Sequence, residues 1–161
     1  MLIFSQWTRC LDLLGCLMDA MGFTYLRLDG QTDIQTRQQL IDQFTNDTSI
    51  PVFLLSTRAG GMGINLTAAD TCILHDLDFN PFNDIQAEDR VHRIGQHKLV
   101  TVIKMVTEDT VDADIYKMQE RKAEMNAAIL ETKTSGAKQK KEESKEMNSM
   151  LKNAVTRYQM S

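Results

Sequence analysis

Two arginines three residues apart, Arg90 and Arg93, stand in the stretch Gln86-Ala-Glu-Asp-Arg-Val-His-Arg-Ile-Gly-Gln96. Their spacing predicts a shared face on a short helix running into Gly95. Two guanidiniums held side by side offer fixed forks of donors to a polyphosphate. A fixed cation at a phosphoryl group in transfer is worth about 10³ to 10⁵ in rate. Pairing of both arginines with Asp84, Glu88 or Asp89 on a solvated helix face would explain the same spacing. A second segment, Thr57-Arg-Ala-Gly-Gly-Met-Gly-Ile-Asn-Leu66, adds glycines at 60, 61 and 63. Such a run lets backbone N–H groups approach a ligand closely, with Arg58 and Asn65 as side-chain donors, and a tight turn accounts for it equally.

Other groupings promise less. Cys10 and Cys16, six apart on a helix, point in different directions, and Cys72 and His75, three apart on a strand, face opposite sides, so no metal site is expected. Three cysteines, an odd number, argue for reduced thiols. Asp76 and Asp78 follow a strand, and their expected work is to cap the next helix or bind arginines rather than to form a catalytic dyad.

The elements that must carry these residues alternate. Met1 to Ser5 is an apolar run typical of a parallel strand buried on both faces, with Ser5 and Gln6 at its carboxyl end, where open α/β sheets bind ligands. Leu11, Leu14, Leu17, Met18 and Met21 recur at helical spacing as core packing, and Gly22 stops that helix. Thr24 to Asp29 alternates as a second strand, Gly30 turns the chain, and Thr32 with Gln35 forms a capping box for a helix buried through Leu40, Ile41 and Phe44. Val52 to Ser56 reads as the most buried strand, Thr71 to His75 as a fourth, and Val100 to Val106 as a fifth. Pro81 breaks the fourth strand and sets up the arginine helix, and Thr110 opens a long helix carrying Val111, Ile115, Met118, Met125 and Ile129. The fold class is therefore α/β with a mainly parallel sheet flanked by helices.

With 161 residues, 42% hydrophobic and 25% charged, the chain is expected to form one domain over 1–131 plus a tail. Residues 132–149 read as a charged flexible linker and 150–161 as a short helix. No apolar run approaches the roughly 20 residues a membrane span requires, so no membrane partner is expected. The net charge of −4 lacks the basic footprint usual for nucleic-acid binding, and any DNA contact must be a local patch or shared with a basic partner domain.

Taken together, the motifs resemble the second RecA-like lobe of superfamily 2 helicase-type ATPases, specifically the Swi/Snf-type chromatin-remodelling family. Leu-Ile-Phe-Ser-Gln at 2–6 resembles that family's fourth motif, and Leu-Arg-Leu-Asp-Gly at 26–30 the element after it. Residues 56–66 resemble the fifth and 86–96 the sixth. The wording of His75 to Asp84 is most similar to the SMARCAD/Fun/Etl subgroup, although Phe79 stands where many relatives carry tryptophan, which weakens an aromatic wedge contact there. The resemblance implies that Arg90 and Arg93 act as arginine fingers on ATP held, with Mg²⁺, mainly by a first lobe. It also implies that Gly61, Gly63, Asn65 and Gln86 line the nucleotide cleft. Ser5, Gly30, Thr57 and Arg58 would contact the phosphate backbone of double-stranded DNA, and the helix from about 110 would be a trailing brace. Nucleosomes as partners and a nuclear location follow from the same likeness.

No Gly-Lys or Asp-Glu dipeptide occurs in this sequence, so it contains neither a phosphate-cradling G-x-x-x-x-G-K-[ST] loop nor an acidic magnesium motif of that form. Met1 stands at the start of the fourth motif, as expected of a lobe cut from a longer motor or of a free-standing lobe. The isolated chain is expected to hydrolyse no ATP. The alternatives are a non-enzymatic DNA- or partner-binding module and a lobe of another superfamily 2 helicase.

Overall fold

A computed structural model describes residues 1–60 and 63–131, with side chains through 124 except at Gly60. Gly61 and the expected linker and helix over 132–161 lie outside the described residues. The chain divides into two compact units, Met1–Met105 and Val106–Ser161.

The first unit is built on five strands: β1 (Leu2–Ser5), β2 (Tyr25–Leu28), β3 (Val52–Ser56), β4 (Thr71–Leu74) and β5 (Thr101–Lys104). They form one sheet in the order β2-β3-β1-β4-β5, and every pairing is parallel. Between them run α1 (Thr8–Met21), α2 (Ile34–Asn46), the single turn α3 (Thr57–Gly60) and α4 (Pro81–Glu88). The glycine-rich segment begins as a helical turn, with the Ala59 N–H donating to Ser56 Oγ at 3.3 Å.

Register decides which residues share a face. Ile3 pairs with Leu54 on one side and Ile73 on the other, so these side chains stand together, and Leu11 and Met18 of α1 pack on them with Val52. Phe53 points the opposite way, and its ring meets Phe44 of α2 with centroids 5.2 Å apart. Lys104 lies on that second face and bonds Glu88 of α4 at 2.9 Å. One helix therefore covers one face, and α2 and α4 cover the other. All residues of β1 and β3 are buried, whereas β5 is exposed along its length, as an edge strand is.

Two local expectations need correction. Asp33, not Thr32, caps α2, its carboxylate accepting from the Thr36 N–H at 2.9 Å. Thr32 Oγ1 is turned back to accept the Asp29 N–H at 3.1 Å, and so belongs to the turn rather than the helix. The apolar stripe of α1 is also not uniform core. Leu11, Gly15 and Met18 are buried, but Leu17 and Met21 are 49% and 58% exposed, because the sheet meets only a narrow sector of the helix.

In the second unit α5 (Val111–Glu131) begins as expected at Thr110, whose Oγ1 accepts the Asp112 N–H at 3.2 Å. Among the described residues no helix is long and apolar enough to cross a membrane.

The unequal burial of two leucines on one helix gives a direct check. Leu11→Ala should lower unfolding free energy by about 2–5 kcal/mol, and Leu17→Ala should change it by no more than about 0.5 kcal/mol. Urea denaturation of the two variants measures both, and equal losses would contradict the packing described for α1.

Candidate functional site

The segment carrying the two arginines is launched by α4. Asn80 caps it, its Oδ1 accepting the Phe82 N–H at 3.3 Å, and Pro81 occupies the first turn, where a missing N–H costs nothing. Asp84 sits in that turn at 1% exposure and accepts the Asp78 N–H on both oxygens at 3.2 Å. Asp78 accepts in turn from the Asn80 N–H and Asn83 Nδ2, each at 2.8 Å. The acidic residues after β4 thus organise the start of this helix.

The helix ends at Glu88, before either arginine, contrary to the shared helical face expected from sequence. The Arg90 and Val91 N–H groups reach back only three residues, to the Ala87 and Glu88 carbonyls at 3.2 and 3.0 Å. The cause lies in the neighbouring loop. The Arg90 carbonyl, which a continuing helix would give to residue 94, accepts the Leu66 N–H at 3.2 Å. Val91 is fully buried beneath the turn, and Gly95 reverses the chain at φ 101.

Gln96 completes the junction. Its amide nitrogen donates to the carbonyls of Ala69 at 2.7 Å, Thr67 at 3.2 Å and Val91 at 3.3 Å, while its Oε1 accepts the Lys98 N–H at 3.0 Å. One side chain thus ties the glycine-rich loop to the arginine turn. Arg93, which is exposed, lies across the same junction, with Nη1 donating to the Gly63 carbonyl at 3.1 Å and Ile64 at 3.5 Å. Among the described residues it forms no ion pair with a carboxylate. Gly63 has φ 73 with open space where a Cβ would stand, so backbone conformation, not crowding, calls for glycine there.

The residues singled out from sequence fall into two places. Gly63, Asn65, Arg90 and Arg93 lie on the loop and turn that lead into β4 and β5, toward the amino-terminal edge of the sheet, with Gln86 exposed on α4 just before them. Ser5, Gly30, Thr57 and Arg58 lie at or just beyond the carboxyl ends of β1, β2 and β3. Within the second set only Gly30 and Arg58 are exposed. Ser5 is fully buried, its hydroxyl donating to Asp76 Oδ2 and accepting the Trp7 N–H at 3.1 Å. Asp76 Oδ1 also accepts the Gln6 N–H at 2.8 Å, and Gln6 Nε2 donates to the Leu77 carbonyl at 2.8 Å. The Gly30 turn is held by Asp29, which accepts from the Gln31 N–H at 2.9 Å, and by Arg37 Nε, which donates to the Thr32 carbonyl at 2.8 Å.

Sequence reasoning missed Gln96 and Asp76 as organisers. Their partners lie 27 to 29 and about 70 residues away, and no local spacing reports such contacts. Cys72 is a structural thiol. Burial first, then the nearby Glu88 carboxylate, pushes its pKa up to about 12, which leaves it protonated and unreactive at neutral pH.

A family profile described as "Helicase conserved C-terminal domain" matches residues 1–95. "Protein CHROMATIN REMODELING 19" of Arabidopsis thaliana is 58% identical over 131 residues, covering 81% of this chain and 17% of that protein. "ATP-dependent helicase fft3" of Schizosaccharomyces pombe is 51% identical over 127 residues, covering 79% and 14%. The chain spans less than a fifth of either relative. Among solved structures, the one titled "Crystal structure of the C-terminal part of Fun30 ATPase domain" superposes with a TM-score of 0.72 at 46% identity, over 73% of this chain and 38% of that one.

The Gln96 junction makes its own prediction. In Gln96→Glu, a carboxylate without donors would face three carbonyl oxygens, at an expected cost of about 1–3 kcal/mol. Hydrogen exchange should accelerate at Leu66 and through 63–69 and 90–95 while β1 and β3 stay protected. Unchanged exchange in the loop would show that the clamp does not hold it.

Proposed function

Because this chain belongs to the helicase conserved C-terminal domain family, in its SWI/SNF-type remodeller branch, we propose that it is the second lobe of an ATP-driven DNA translocase. In this reading Arg90 and Arg93 complete a nucleotide site whose phosphate loop and magnesium ligands belong to a first lobe. The observation that carries it is the state of Arg93, exposed and resting on two neutral backbone carbonyls. The guanidinium is charged in either case, but phosphate oxygens add a full negative charge and a bidentate geometry that a neutral backbone carbonyl cannot offer. Arg93 can therefore exchange one for the other with little reorganisation when ATP approaches on a partner lobe. Such a cation stabilises the charge that develops on the transferred phosphoryl group.

ATP with Mg²⁺ supplies the chemistry, and this chain's residues supply position and charge. The junction through Gln96 and Leu66 fixes the distance between Arg93 and the Gly63 loop, so Gly63 and Asn65 would meet the nucleotide as one surface with it. Gly61 and Gln86 would flank that surface. At the other edge of the sheet, exposed Gly30 would offer its backbone and exposed Arg58 its guanidinium to a DNA phosphate backbone, with Thr57, which is buried, next to Arg58 in the chain. Ser5 would act there through Asp76 and Gln6, since its hydroxyl is already engaged. Double-stranded DNA, nucleosomes and a nuclear location complete the reading.

Joining this chain to a cognate first lobe and measuring DNA-stimulated ATP hydrolysis tests the proposal. Arg93→Ala should lower kcat by about 10³-fold or more, and Arg93→Lys should not restore it, because an ammonium lacks the planar fork. Absence of any stimulation with the wild-type chain would favour a non-enzymatic module. For DNA, Arg58→Ala should weaken binding about equally on unrelated duplexes and flatten the salt dependence by about one phosphate contact. A loss confined to one base sequence would contradict a backbone contact.

A further inference from the structure

The carboxyl edge of the sheet carries a group of side chains of which the motor reading uses only Asp76, and that one only as the partner of Ser5. Cys10 on the first turn of α1, and His75 and Asp76 just past β4, each bring one ligand atom into a cluster whose members all lie within 4.8 Å of one another. His75 Nδ1 is out of contact with solvent and makes no hydrogen bond, and it stands 3.6 Å from Asp76 Oδ2. A ring nitrogen shut off from solvent, without a hydrogen bond and beside a carboxylate and a thiol, stands where a metal ligand would. The carboxylate is already oriented, because Ser5 Oγ donates to its Oδ2 and the Gln6 N–H to its Oδ1, as outer hydrogen bonds orient metal ligands generally.

From this juxtaposition we infer that Cys10, His75 and Asp76 form a binding site for a divalent transition-metal ion, with Zn²⁺ the best fit. Sulfur, imidazole nitrogen and carboxylate oxygen together suit a borderline-soft ion and disfavour magnesium and calcium, which take oxygen ligands. Three protein ligands leave a fourth tetrahedral position for water. On binding, the Cys10 S–H bond breaks, its proton passes to solvent and the sulfur's electron pair goes to the metal. The ion would link the first turn of α1 to the end of β4 and so stiffen the Ser5–Gln6 loop between them. Sequence spacing hides the site, since Cys10 is 65 residues from His75 and the pairs nearer in sequence, Cys10 with Cys16 and Cys72 with His75, diverge.

Titration of the reduced chain with Co²⁺ as a spectroscopic substitute tests the inference. One equivalent should produce a thiolate-to-metal charge-transfer band that Zn²⁺ abolishes by displacement. Cys10→Ser should remove the band and His75→Gln should weaken binding about tenfold or more, since even outer-shell changes cost that much. Cys16→Ser, at an exposed position of the same helix, should leave both unchanged. As a readout independent of the imidazole variant's folding, Zn²⁺ should protect Cys10, but not Cys16, from alkylation in the wild-type chain. Absence of the band in the wild-type chain, its persistence in Cys10→Ser, or equal alkylation of Cys10 with and without Zn²⁺ would overturn the proposal.

Discussion

The docking of the glycine-rich loop on the arginine turn is the constraint from which the rest of the candidate site follows. The Leu66 N–H takes the Arg90 carbonyl, and the Gln96 amide takes the carbonyls of Thr67, Ala69 and Val91. These bonds compete directly with continuation of α4, and they prevail because they satisfy groups on both segments at once. The helix stops at Glu88, and the two arginines sit on a turn instead of one face of a cylinder. Their relative position is therefore set by tertiary hydrogen bonding across some 30 residues of sequence, not by the 3.6-residue period.

Placement on the sheet separates the two groups of candidate residues. An open parallel sheet offers ligands a crevice at its carboxyl ends, and Gly30, Arg58, Ser5 and the Asp76 network occupy that edge. The arginine turn and its loop lie where the chain enters β4 and β5. Between the two edges run β1 and β3, buried along their whole length, with α4 laid over the sheet and tied to β5 through Glu88 and Lys104. The two groups of residues are thus tied to the same rigid strands. It also fits a net charge of −4, because each contact requires only a few local cations.

Much of the fold was legible in the sequence. Uninterrupted apolar runs such as Val52 to Ser56 announce strands buried on both faces, and Gly22 and Thr110 mark helix ends by their chemistry. Thr32 misled because Asp33 beside it is an equally good cap, and only the Gly30 turn decides which side chain faces the helix. The α1 stripe misled because periodicity reports the apolar side of a helix but not how much of it a five-stranded sheet with an exposed edge can cover. At the site, the motif drew attention to Arg90 and Arg93, yet it did not report their geometry, and Gln96 looked like the end of that motif rather than its fastening. The grouping of Cys10, His75 and Asp76 was invisible for the same reason: proximity across parallel strands leaves no trace in spacing.

The most direct measurement of the central claim is a structure of this chain joined to a first lobe with a non-hydrolysable ATP analogue and Mg²⁺ bound. Arg93 should leave the Gly63 and Ile64 carbonyls for phosphate oxygens, with the Leu66 and Gln96 bonds intact behind it. If Arg93 stayed on those carbonyls, or turned to a carboxylate, while the first lobe alone enclosed the phosphates, the nucleotide role assigned to this junction would be contradicted.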